Sequence, residues 1–211
     1  MSSESDTDDL VRRAASGDPL AIPLLLGRHR QRLRHMVAVR IDDRLLARID
    51  PSDVVQETMI DAVRKLPDYL RERPLPFYPW LRQIAWNRLI DLHRVHVLAE
   101  RQTVSREISF ESALSSQSQY RLANQLLSRE APPSARIVRE ELIHRLQLSI
   151  ARLTPAHREV LILRHLEGLT VPETAQILKT TEVAVTSRHF RALANLRDQL
   201  DRDGSSELID S

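Results

Sequence analysis

The sequence predicts an all-α protein: two helical domains joined by a flexible linker. Three observations carry that expectation. The 211 residues include only four glycines. No apolar/polar alternation persists at a period of two, as a half-buried strand would need. Apolar residues instead recur three and four apart within two blocks, residues 18–98 and 139–200, as one face of a helix requires.

Composition narrows the class. A hydrophobic content of 42% supports a core, and 28% charged residues suit a soluble chain. No apolar run is long enough to span a bilayer. The N-terminal "MSSESDTDDL" is acidic, unlike the basic-then-apolar start of a signal peptide, so membrane insertion is not expected and the cytoplasm is the expected compartment. The absence of cysteine excludes a disulfide framework and a thiolate metal site. Among 31 basic residues only Lys65 and Lys179 are lysines. Arginine forks bidentately onto phosphates and base edges, although a coding bias toward arginine gives the same count. Residues 28–48 hold seven arginines against Asp42 and Asp43. Residues 71–106 hold seven against Glu72, Asp91 and Glu100. Acidic residues pool at the two ends, read as tails over 1–17 and 201–211. A basic middle between acidic ends hints at a polyanionic partner.

Within the first block, "DPSDVVQETMIDAVRKL" opens with Asp50 as cap and Pro51 in the first turn. Val55, Met59, Ala62 and Leu66 line one face of the expected helix over 50–66. Asp53, Gln56 and Glu57 form a polar, acidic surface elsewhere on it. Taken alone, this is an amphipathic helix with a solvated face. A proline-broken loop, "RERPLPFYP", follows and leaves Phe77 and Tyr78 exposed. The next helix, "WLRQIAWNRLIDLHRV", buries Leu81, Ile84, Ala85 and Leu92. Trp80, Trp86, Asn87, Arg88 and Arg94 decorate it. A single-stranded base stacks on an aromatic ring for about 1–3 kcal/mol while arginine holds the backbone. The blander reading puts the tryptophans in the core, where at least one is expected.

Residues 99–138 read as linker, being Ser-rich over 105–118 and broken by "APPSAR" at 131–136. In the second block Leu142, Leu146, Ile150 and Leu153 mark a stripe. Thr154-Pro155 supplies a cap and first-turn proline. Gly168 suits a left-handed stop. Thr170 and Glu173 have capping-box spacing, and Thr181 caps the last helix. Ala175 is small where two helices cross. Val185, Ala192 and Leu196 face inward, while Thr186, Ser187, His189, Phe190, Arg191 and Arg197 lie on or near the outward face. This is a helix-turn-helix pattern whose last helix suits a major groove. An ordinary helical hairpin has the same spacing. Lys179 occupies the turn, where a left-handed backbone would cost roughly 1–2 kcal/mol.

These stretches, taken in order, resemble the extracytoplasmic-function sigma factors of bacterial RNA polymerase, within the sigma-70 family. The 50–66 helix resembles region 2.2, "FYPWLRQIAWNRLIDLHRVH" resembles regions 2.3 and 2.4, and 153–197 resembles region 4. The resemblance implies a non-enzymatic factor without cofactor or metal, which binds polymerase core at its clamp helices and flap. Region 4 would read the upstream promoter element as duplex. Region 2 would read and melt the downstream element, holding a flipped base. An anti-sigma factor is a further candidate partner. By motif match, Asp53, Gln56 and Glu57 would dock on polymerase. Trp80, Trp86, Asn87, Arg88, Asp91 and Arg94 would face the downstream element, with Asn87 at the flipped base. Thr186, Ser187, Arg188, Phe190 and Arg191 would face the upstream element. About forty extended linker residues, at ~3.3 Å each, would exceed the ~70–100 Å of two to three turns of DNA.

The chain departs from the family at Lys179, usually glycine, at Ala184, usually threonine, and at Thr186, where a basic residue is frequent. The run after Arg94, "VHVLAERQ", is less basic than usual and shifts expected melting contacts toward Arg101 and Arg106. Two rival classes remain. A repressor or activator could use the same helix-turn-helix without polymerase, but would need a dimerisation or ligand domain in residues 18–98. A metal hydrolase could use His93 and His96, but no HExxH motif accompanies them.

Overall fold

The computed structural model describes residues 2–41, 48–95, 115–127 and 136–206. The described residues form nine α-helices and no strand. The chain divides into two compact units, Met1–Arg106 and Glu107–Ser211.

The first unit is a bundle of α1 (Ser2–Ala15), α2 (Ala21–Arg40), α3 (Pro51–Glu72) and α4 (Phe77–His93). The acidic tail expected over 1–17 is instead α1, packed on α2. Its positions Thr7, Val11 and Ala14, spaced four and three apart, are buried, while Asp8 and Asp9 face solvent. Thr7 Oγ1 lies 3.2 Å from His29 Nε2, and Arg28 donates to Asp6 at 3.1 Å. Acidic composition hid an amphipathic helix there.

Asp50 caps α3 as expected, its Oδ1 accepting from Ser52 N–H at 2.6 Å. The helix does not stop at Leu66. It runs through Pro67 to Glu72, because Leu66 and Tyr69 carry the buried stripe past the proline. The missing proline N–H removes one helix bond, and burial of the following turn offsets it. Phe77 and Tyr78 correct the loop expectation. They open α4 and are 3% exposed. The His29 ring lies 5.3 Å from Phe77 and 5.7 Å from Tyr78, and Arg32 caps the Tyr78 ring at 3.8 Å. In α4, Leu81, Ile84, Ala85 and Leu89 are buried, whereas Leu92 is only partly covered.

The second unit begins inside the expected linker. Helix α5 (Ser116–Leu126), capped by Ser115, buries Ser118, Leu122 and Ala123 and packs on α6 (Arg136–Arg152). The Ser-rich sequence masked that short apolar stripe. The remaining linker residues 99–114 and 128–135 lie outside the described residues. The α6 stripe is Ile143, Leu146 and Ile150, continued by buried Leu153 just past its end, and Leu142 points outward. Thr154 caps α7 (Pro155–Leu161), which continues as a π-helical turn, Ile162–Leu166, with Ile162, Leu163 and Leu166 buried. Gly168 follows at φ +67°.

Helices α8 (Val171–Ile177) and α9 (Glu182–Ser206) make the helix-turn-helix. The Thr170–Glu173 capping box is complete in both directions. Lys179 adopts φ +50°. Its N–H donates to Gln176 at 3.2 Å and Thr180 N–H to Ala175 at 2.9 Å, a Schellman stop built without glycine. Val185, Ala192 and Leu196 fill the inner face of α9. The helix runs to Ser206, into the segment expected as an acidic tail, and residues 207–211 lie outside the described set.

Candidate nucleic-acid and partner interfaces

Two surfaces carry the residues singled out by the sequence, one in each unit. The first lies along α3 and α4. Asp53, Gln56 and Glu57 are all exposed, since the α3 stripe through Val54, Val55, Thr58 and Ala62 takes the opposite side into the core. Glu57 does not stand apart from α4. The Arg88 guanidinium donates to its carboxylate, and Arg88 Nη1 also reaches Asp61 Oδ2 at 3.4 Å. One arginine expected to face DNA is thus clasped by the helix expected to face polymerase. Asp61 was overlooked in sequence, although it follows Glu57 by one helical turn.

Beside this clasp lies a cavity of about 240 Å³, lined by Lys65, Ile84, Asn87, Arg88, Asp91 and Val95 among others. Asn87, Asp91 and Arg94 are exposed. The Asn87 amide offers both donors and acceptors to a base edge. The tryptophans are held differently. Trp80 stacks on Tyr69 with centroids 4.4 Å apart and lies 5.5 Å from Phe77. Burial pushes the Tyr69 phenol up to about 12, and its O–H donates to Leu75 O at 3.1 Å. The guanidinium carbons of Arg40 and Arg82 lie 5.1 Å and 5.5 Å from the centre of the Trp86 ring. Both arginines are buried, so these cations hold the indole against the bundle.

The second surface is the outward side of α9. Its first turn is capped by Thr181 Oγ1, which accepts from Ala184 N–H at 3.2 Å. Thr186, Phe190 and Arg191 are exposed, and Ser187 and Arg188 partly so. Phe190 is 73% exposed. Val183, which sequence reasoning passed over, is 79% exposed seven residues earlier. His189 departs from the expected outward face. It stacks on His165 of the π-helical turn, with Nε2 atoms 2.8 Å apart. Burial lowers both imidazoles below their ordinary 6.5; for His165 the neighbouring His189 and Arg164 add to it, and for His189 Arg164 does.

Among the described residues no group of three or more His, Asp or Glu is placed to hold a metal. His93 is partly buried, and His96 lies outside the described residues, as do Arg101 and Arg106. No helix among the described residues is long and apolar enough to cross a membrane.

Comparison with known proteins finds one family match in each unit. The family model for sigma-70 region 2 matches residues 25–97, and that for sigma-70 region 4 matches residues 143–196. RNA polymerase sigma factor NccH of Alcaligenes xylosoxydans xylosoxydans is 34% identical, over 93% of this chain and 95% of its own. RNA polymerase sigma factor CnrH of Cupriavidus metallidurans is 30% identical, over 96% of this chain and 98% of its own. The solved structure of CnrH in complex with the cytosolic domain of CnrY matches at a TM-score of 0.51 and 26% identity, covering 92% of this chain and 96% of that one.

Proposed function

The chain belongs to the sigma-70 family of RNA polymerase sigma factors, and on that premise we propose how its two units divide the work of choosing and opening a promoter. As a sigma factor it directs promoter-specific initiation and is not an enzyme. The exposed α3 face of Asp53, Gln56 and Glu57 docks on the clamp helices of polymerase core. Asn87, Asp91 and Arg94 meet the downstream element once it is unpaired, with Asn87 at the flipped base. Arg88 joins them, while Trp80 and Trp86 shape the surface on which they stand. Thr186, Ser187, Arg188, Phe190 and Arg191 read the upstream element as duplex. The region 2 domain spans 18–98 and the region 4 domain 139–200.

One observation carries this reading: the two region matches occur in family order and fall one in each compact unit. The exposure of Asp53, Asn87 and Arg191 on those units supports the roles given to them. Strand opening without a nucleotide-hydrolysing motif draws its energy from capture of exposed bases, and Asn87 beside a cavity has the chemistry for it. Such a factor works in the cytoplasm. CnrH forms a complex with a cytosolic domain, and by that likeness a protein partner of the anti-sigma kind holds this chain away from polymerase.

Transcription with purified polymerase core on a genomic fragment library tests the reading. Discrete, factor-dependent start sites sharing two upstream sequence elements are expected. Duplex binding with no core-dependent transcript would instead make the chain a repressor or activator.

A further inference from the structure

The first turns of the upstream-reading helix present apolar groups to solvent. Val183 and Phe190 are the two most exposed large apolar side chains among the described residues. They stand seven residues apart, two helical turns on one line of α9, with Ser187 between them. Thr186 lies beside that line. Its hydroxyl proton is donated to Glu182 O at 3.0 Å, so it offers a partner no donor, only its methyl and an acceptor lone pair. An apolar stripe in water at the N-terminal half of the second helix of a helix-turn-helix, next to exposed Arg191, fits the major groove. The apolar feature of that groove is the thymine C5-methyl.

We infer that this chain selects its upstream element through thymine methyl groups, contacted by Val183, the Thr186 methyl and Phe190. The inference rests on the region 4 reading above and adds the base class it recognises. Val183 to Phe190 spans about 10.5 Å at 1.5 Å per residue. That equals about three base-pair steps at ~3.4 Å, so the thymines fall within about four consecutive pairs.

The test titrates holoenzyme, assembled from the full chain and polymerase core, onto a promoter duplex with upstream thymines replaced singly by deoxyuridine. This removes the methyl and leaves every hydrogen-bonding group. Binding is expected to weaken about fourfold at each contacted thymine, the equivalent of one buried methyl. The sensitive positions should cluster within about four pairs. Val183→Ala should make one of them indifferent to uridine. Thr186→Val should keep its sensitivity, whereas Thr186→Ser should abolish it. Indifference to uridine at every position, with Arg191→Ala still weakening binding, would overturn the methyl readout and leave region 4 recognition standing. Indifference to both, without upstream protection, would overturn both.

Discussion

Phe77 and Arg88 of the first unit and Phe190 and Arg191 of the second are held in opposite ways. In the first unit, Phe77 and Tyr78 are buried around His29, Trp80 stacks on Tyr69, and Trp86 is gripped by two buried arginines. Arg88 is clasped by Glu57 and Asp61. In the second unit, Phe190 and Arg191 project from α9 into solvent. Duplex DNA presents a finished groove, so a reader of duplex can display its contacts on a rigid helix. An unpaired base needs a receiving surface, and the cavity beside Asn87 is lined by residues such as Lys65, Ile84 and Asp91, with the aromatic rings packed elsewhere in the bundle. Phe77, Tyr78 and Arg88 thus build structure in the first unit, whereas Phe190 and Arg191 of the second stand free of its core.

Two phenylalanines break this contrast most sharply. Phe77→Ala should cost about 3–5 kcal/mol in a denaturant titration, as truncation of a buried aromatic does. Phe190→Ala should change stability by no more than about 0.5 kcal/mol and weaken upstream DNA binding. Equal stability losses would erase the distinction. Next in size is the polymerase face. Asp53→Ala with Gln56→Ala should weaken core binding by about 2 kcal/mol, roughly thirtyfold, at unchanged melting temperature. Core affinity equal to wild type would remove α3 from the docking surface.

Much of this was legible in the sequence because helix signals are local. Asp50-Pro51, Thr154-Pro155 and Thr170/Glu173 announced three helix starts, and each cap is made. The errors arose where composition outweighed spacing. Acidic residues disguised α1, serines disguised α5, and Pro67 cut α3 short although Tyr69 continues its buried stripe. Phe77 and Tyr78 read as loop because burial against α2 is a contact across about 48 residues, invisible to a helical window. The candidate site was less legible. Spacing identifies which residues share a face, but not that Arg88 turns to Glu57 or that His189 turns to His165.

Arg191→Ala sharpens the comparison from the duplex side. Loss of a bidentate base contact should cost about 1–3 kcal/mol. Footprinting should show upstream protection lost, with downstream contacts preserved on a template already open. Protection equal to wild type would displace the reader from α9. The smallest effect concerns pH. His165 and His189 are held below 6.5 in the folded chain, so the unfolded chain binds protons first as pH falls. Stability should therefore be greatest above about 6.5 and decline below it. His165→Gln should flatten that decline in melting curves taken from pH 7.5 to 5.5, and an unchanged slope would exclude the pair as its source.

Permanganate reactivity of thymines near the start site, with polymerase core present, tests the division of labour most directly. Wild-type holoenzyme should make them reactive. Asn87→Ala should be recruited through region 4 as well as wild type yet leave fewer thymines reactive, because its duplex reader is intact and its base-capturing amide is gone. Wild-type recruitment without reactive thymines would contradict promoter opening by this chain, and full reactivity in the variant would take Asn87 out of it.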